Sequence, residues 1–296
     1  MDNYFTPVAL PRYSRRITCN ERLLLLGSCF AENIGAKFSR LQFDVDINPF
    51  GVLFNPASVA ACLRRLLSGR FYEASELFEY QGVWHSFAHH SRFSAGTPEQ
   101  ALQLINERFE QSCKSLREAT VLFITFGTAY VWELKTTGTV VSNCHKLPDA
   151  SFRRFRLTPN EIIDDYRQLL TALWEVNPAL YVLFTVSPVR HLNDGAIGNQ
   201  LSKSILLLAI DRLVNGFGTD RCNYFPAYEI MLDELRDYRF YAPDMLHPAP
   251  VAINHIWNRL TEAMMSADTR AQLREREKAA ARAEHRSIIG TSGGPA

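Results

Sequence analysis

Long apolar runs are missing from this chain of 296 residues. Its longest, in the stretches RLLLLG and ILLLAI, are short and interrupted. Crossing a bilayer takes about 20 consecutive apolar residues, so no membrane span is predicted. Excess charge of either sign is missing too. Lys and Arg total 32 against 31 Asp and Glu, a net charge of +1, so no global field steers the protein toward nucleic acid or an anionic membrane. Six cysteines lie scattered at 19, 29, 62, 113, 144 and 222, with no CxxC pair. That spacing fits neither a zinc finger nor a disulfide framework, and it predicts reduced core thiols with at most one reactive member. Glycine-rich phosphate loops of the common types are lacking, which argues against nucleotide binding, and no cofactor is called for. The opening MDNYFTPVALPRYSRR has no basic segment leading into an apolar one. No secretory signal is therefore expected, and the expected compartment is the cytoplasm.

What is there suits a soluble globular core, with 47% hydrophobic and 21% charged residues. Three nearly continuous apolar runs of strand length stand at 22–28, 120–128 and 180–189. Runs of this kind are typical of parallel strands covered on both faces. Helical patterns separate them at 56–69, 97–119, 158–178, 199–218 and 250–267, several opening on a cap residue followed by proline. The alternation predicts an open α/β sheet with right-handed crossovers, whose ligands bind at the carboxyl ends of the strands. Two regions break the pattern. Residues 70–96 are rich in aromatics and histidine and predict an inserted, lid-like segment within a domain running over 1–267. Residues 268–296 predict a polar, exposed helical tail with a disordered end.

Chemistry concentrates in two places. Gly27-Ser28-Cys29 falls where a strand gives way to a helix, whose first N–H groups favour a thiolate or an oxyanion. On spacing alone the plainer reading is a capping serine beside a small core cysteine. Asp244 and His247, in PDMLHP, stand three apart, so the carboxylate can hold the imidazole while its other nitrogen takes a proton. The order nucleophile, Asp, His is one in which such triads occur. Arg190 and His191 follow the strand end SPV and can reach a pocket there, with Arg suited to planar anions. His85, His89 and His90 match no metal-ligand spacing, and no metal is expected.

GSCFA at 27–31 is the naming motif of the GSCFA-domain family, which resembles a branch of the SGNH (GDSL-like) hydrolase superfamily. The resemblance spans roughly 20–260 and extends to NPFGVLFNP, NCHKLP, SPVRHLNDG and YFPAYEIMLDELRDYRFYAPDMLHP. It implies a three-layer α/β/α flavodoxin-like fold and a site acting on an acyl or acetyl ester of a carbohydrate or small molecule. Matched without a gap to the superfamily's Gly-Asp-Ser block, Cys29 takes the nucleophile's place; shifted by one, Ser28 does. Gly51 stands for the oxyanion glycine. Ala129 occupies the place of the usual oxyanion asparagine, leaving Thr128, Asn143 or His145 as replacement donors, while Asp244 and His247 meet the Asp-x-x-His block intact. An esterase, an acyltransferase and a non-catalytic binding module on the same fold all remain open at this level.

Overall fold

The computed structural model describes residues 6–291, with side chains described as far as residue 282. The three apolar runs form inner strands of a five-stranded parallel sheet. Its first two strands are β1 (Arg22–Gly27) and β2 (Asp44–Ile47). A short antiparallel pair follows, β3 (Phe78–Tyr80) and β4 (Val83–His85), before the chain returns to the main sheet as β5 (Val121–Phe126). A second, antiparallel sheet is built from β6 (Tyr130–Leu134), β7 (Thr139–Val141) and β8 (Phe152–Arg156), in the order β7-β6-β8. The main sheet is completed by β9 (Tyr181–Val186) and β10 (Cys222–Tyr224), giving the order β10-β9-β5-β1-β2.

That order is doubly wound. The chain leaves β1 toward β2 on one side and comes back to β5 on the other, which opens a crevice at the carboxyl ends of β1 and β5. Side chains alternate across the sheet, so the four leucines of β1 divide their burial. Leu24 and Leu26 join a core with α2 (Pro56–Ser68), α3 (Pro98–Glu118), α4 (Pro159–Val176) and α5 (Gly195–Phe217). Leu23 and Leu25 face the other way, onto α1 (Cys29–Arg40) and, past the single turn α6 (Ala227–Glu229), α7 (Pro250–Met264). The architecture is therefore three-layered, α/β/α.

Local chemistry sets the helix ends. Asn55, Thr97 and Thr158 each cap a helix whose first residue is proline, and Glu161 returns a bond to the Thr158 N–H. The helix α8 (Ala267–Thr291) is polar, as its composition predicts, yet its first turns are packed. Leu273 is buried against the α1 and α7 core, and Arg276 donates to the carbonyls of Leu41 and Gln42. Residues 292–296, where a disordered end is expected, lie outside the described residues.

The stretch 70–96 contributes the β3–β4 hairpin and short 3-10 turns, and it packs against the segment after β7. Phe78 stacks on Phe87 at 4.0 Å, Ser142 and Asn143 donate their N–H groups to the Phe87 carbonyl, and His145 Nε2 bonds the Ser86 carbonyl.

Candidate active site

Gly27 ends β1 with φ of +136°, and a Cβ there would stand 2.0 Å from the Thr125 carbonyl oxygen on the neighbouring strand. Only glycine allows so close a strand approach in this backbone conformation. Its N–H is held by Asn48 Oδ1 at 2.9 Å. The chain then turns directly into α1. Ser28 is buried and caps the helix, its Oγ accepting from the Phe30 N–H at 3.2 Å. Cys29, the first helical residue, is only half-buried and lines a cavity of about 240 Å³ together with Ser28, Phe54, Arg190, His191 and His247.

His247 reaches this cavity from the loop before α7. Its Nδ1 lies 2.6 Å from Asp244 Oδ2, while Asp244 Oδ1 accepts the N–H groups of Leu246 and His247 at 2.9 and 3.0 Å. Those two backbone donors, followed by the imidazole, hold the Asp244 carboxyl down at about 2. Asp244 is thus an anion at every ordinary pH. A carboxylate on Nδ1 fixes the tautomer whose Nε2 is free to accept a proton.

Opposing influences act on Cys29. Burial pushes its thiol up, the nearby Glu32 carboxylate adds to that, and the N–H groups of Cys29 and Phe30, together with Lys203, pull it down; the upward push wins. The resting sulfur is therefore a thiol that needs a base. Lys203 was not singled out from sequence. It is wholly buried under the strand ends, where Nζ donates to the carbonyls of Gly127 and Ser187, both at 2.7 Å. Burial brings its ammonium down to about 7. A lysine inside an apolar stretch of α5 carries no sequence signal of this role; only the fold aims it at two strand ends.

The remaining sequence candidates divide. Arg190 and His191 line the cavity, and the Arg190 N–H is held by the Leu246 carbonyl at 3.1 Å. Burial lowers His191 to about 4, so its ring is neutral. Gly51 is not a cavity-lining residue. Its N–H is taken by the Asn48 carbonyl, and its bare Cα accommodates His90, whose Cβ would sit 2.2 Å from an added methyl. Thr128 turns its hydroxyl to Ser202 on α5 at 3.0 Å, and its N–H goes to the Phe54 carbonyl. Asn143 and His145 belong to the packed segment against residues 86–87, and Asn143 Oδ1 accepts the His145 N–H. His89 is buried and stacked on Phe50 at 4.4 Å, with burial taking its ring down to about 3. Among the described residues no group of three or more His, Cys, Asp or Glu is placed to hold a metal ion. No described helix is long and apolar enough to cross a membrane.

The model of the GSCFA family matches residues 22–260. No curated protein matches the sequence. Among solved structures, the chain is similar to an acetyl xylan esterase, Est2A, from the rumen bacterium Butyrivibrio proteoclasticus. The two are 12% identical with a TM-score of 0.39, over 88% of this chain and 66% of that one. The chain thus spans a little under two thirds of the esterase's length.

Proposed function

The chain belongs to the GSCFA family, and from that premise we propose that it is an acyl hydrolase or acyltransferase of the SGNH-like type, working through a covalent acyl-enzyme on Cys29. The observation carrying this reading is that Cys29 and His247 line one cavity while Asp244 occupies the far nitrogen of His247. His247 Nε2 removes the thiol proton as sulfur attacks the ester carbonyl, and the same nitrogen returns the proton to the departing alkoxide. Water, or a second alcohol, then takes the acyl group by the reverse route. The expected substrate is an ester of a small molecule or carbohydrate. In this reading the Cys29 N–H, the one early α1 donor that Ser28 does not already hold among the described residues, supports the developing negative charge, a role otherwise missing because alanine stands at 129 in place of the oxyanion asparagine.

Between the two adjacent nucleophiles, Ser28 is committed to capping, which supports Cys29. The test is intact mass after a short pulse of p-nitrophenyl acetate. The expected result is one acetyl adduct on wild type and on Ser28→Ala, none on Cys29→Ala, and at least ten-fold slower labelling of His247→Ala. Undiminished labelling of Cys29→Ala would overturn the assignment.

A further inference from the structure

Several partly buried arginines elsewhere in this protein have acidic partners. Arg65 holds Glu76, Arg108 holds Asp46, Arg154 holds Asp194 and Arg259 holds Glu234. Arg190 makes no side-chain hydrogen bond or ion pair among the described residues, and its Nε is buried with nothing to donate to. Arg15, Arg65 and Arg270 also leave Nε bare; the terminal nitrogens of Arg15 and Arg65 grip Glu21 and Glu76, and Arg270 stands on α8, outside the cavity lining. Two further orphans stand beside Arg190: His191 Nε2, and Nδ2 of Asn199, which is 1% exposed. Asn199 does not line the cavity itself, but its Oδ1 holds the His191 N–H at 2.9 Å and so anchors the wall from behind. The buried Lys203 ammonium is close enough to act electrostatically on both Arg190 and Cys29. No carboxylate lines the cavity, and the nearby Asp244 is taken by His247. A cationic, donor-bearing wall without an internal anion is shaped to receive one from outside. The guanidinium's flat fork matches carboxylate and phosphate oxygens.

We propose that this wall is a substrate-anion seat, in which Arg190, beside a His191 anchored by Asn199, binds a carboxylate or phosphate carried by the ester whose carbonyl meets Cys29. Arg190 is tied through its own N–H to the residue before His247, so a seated anion fixes the ester relative to the base. The specificity part of this inference rests on the acyl transfer proposed above; the seat itself does not.

Two measurements separate them. Calorimetric titration at low ionic strength uses sodium phosphate and sodium succinate with wild type, Arg190→Met and Arg190→Lys. The expected outcome is saturable binding of one ion to wild type, weakened at least ten-fold in Arg190→Met and less in Arg190→Lys, which keeps the charge but not the fork. The ion that binds tells carboxylate from phosphate. Absence of saturable binding by either ion, or equal binding by wild type and Arg190→Lys, overturns the seat, and the lysine variant serves should the methionine one not fold. Turnover then compares p-nitrophenyl hydrogen succinate with p-nitrophenyl acetate. The expected preference for the charged ester is ten-fold or more in kcat/KM, collapsing in the Arg190 variants; an equal ratio in wild type overturns the seat's part in specificity. If neither ester acylates the protein, the acyl-transfer reading fails while the calorimetry still decides the seat.

Discussion

At Cys29, two neighbours set how readily the thiol ionises. Glu32 stands one turn along α1, and its charge raises the thiol's pKa beyond the effect of burial. Glu32→Gln removes one upward push, so the midpoint of Cys29 alkylation by iodoacetamide moves to lower pH and labelling at pH 8 speeds up. An unchanged pH profile, followed by mass spectrometry, would remove Glu32 from the account. Ser28→Ala loses a helix cap, a change that costs about 1 kcal/mol of stability, read as a lower denaturation midpoint in urea. Much of this pair was legible beforehand. Gly-Ser-Cys at a strand end and Asp-x-x-His each name a chemistry by residue type. The choice of Cys29 over Ser28 proposed above rests on which side chain the first turn of α1 buries, a contact that the two residue types do not reveal. Gly51, Asn143 and His145 illustrate a related limit. Their residue types suit an oxyanion hole, but whether a given N–H is already bonded depends on contacts distant in sequence.

Elements meet at the carboxyl end of the sheet, and two positions there govern its integrity. Gly27→Ala would drive a methyl into the Thr125 carbonyl and separate β1 from β5. A loss above about 4 kcal/mol is expected, in the range of severe core lesions, with little soluble protein recovered; a soluble variant with an unchanged melting curve would contradict the close approach. Lys203→Met deprives two buried carbonyls of their donor, a loss of about 2–6 kcal/mol at about 1–3 per unsatisfied group. The pH dependence has a definite sign. Lys203 titrates at about 7 in the folded protein and at about 10.4 when unfolded. Between those values the unfolded chain binds the extra proton, so this residue makes stability rise with pH. Urea titrations at pH 7 and pH 9 should show wild type gaining relative to Lys203→Met, and a constant difference would refute the linkage. The inner strands were readable because runs of at least four apolar residues suit a strand buried on both faces. Edge strands β2 and β10 span only four and three residues of mixed polarity, too short to show a period. The β7-β6-β8 sheet escaped notice because arginines punctuate β8, giving it no apolar face to read.

Across the whole molecule, one face of the sheet is covered by four long helices and the other by α1 and α7, with the start of α8 filling in. The polar composition of residues 268–296 predicted an exposed tail, yet its beginning is docked by buried Thr269 and Leu273 and by the Arg276 guanidinium. Leu273→Ala should cost about 2 kcal/mol, the low end for a truncated buried leucine, and lower the melting temperature by about 5 °C for a chain of this size. Calorimetric scanning would test this, and no shift would mean that α8 contributes nothing to the fold. The doubly wound order has a further consequence for how the protein comes into being. Cys29, the proposed nucleophile, is synthesised early and His247 late, on segments that meet only when the sheet is closed. Chains grow from the amino end and their early elements can collapse first, so a nascent chain carries the thiol without its base. Until the loop bearing Asp244 and His247 has emerged and docked, no imidazole stands beside that thiol to take its proton, so the proposed acyl transfer waits for the whole sheet to close.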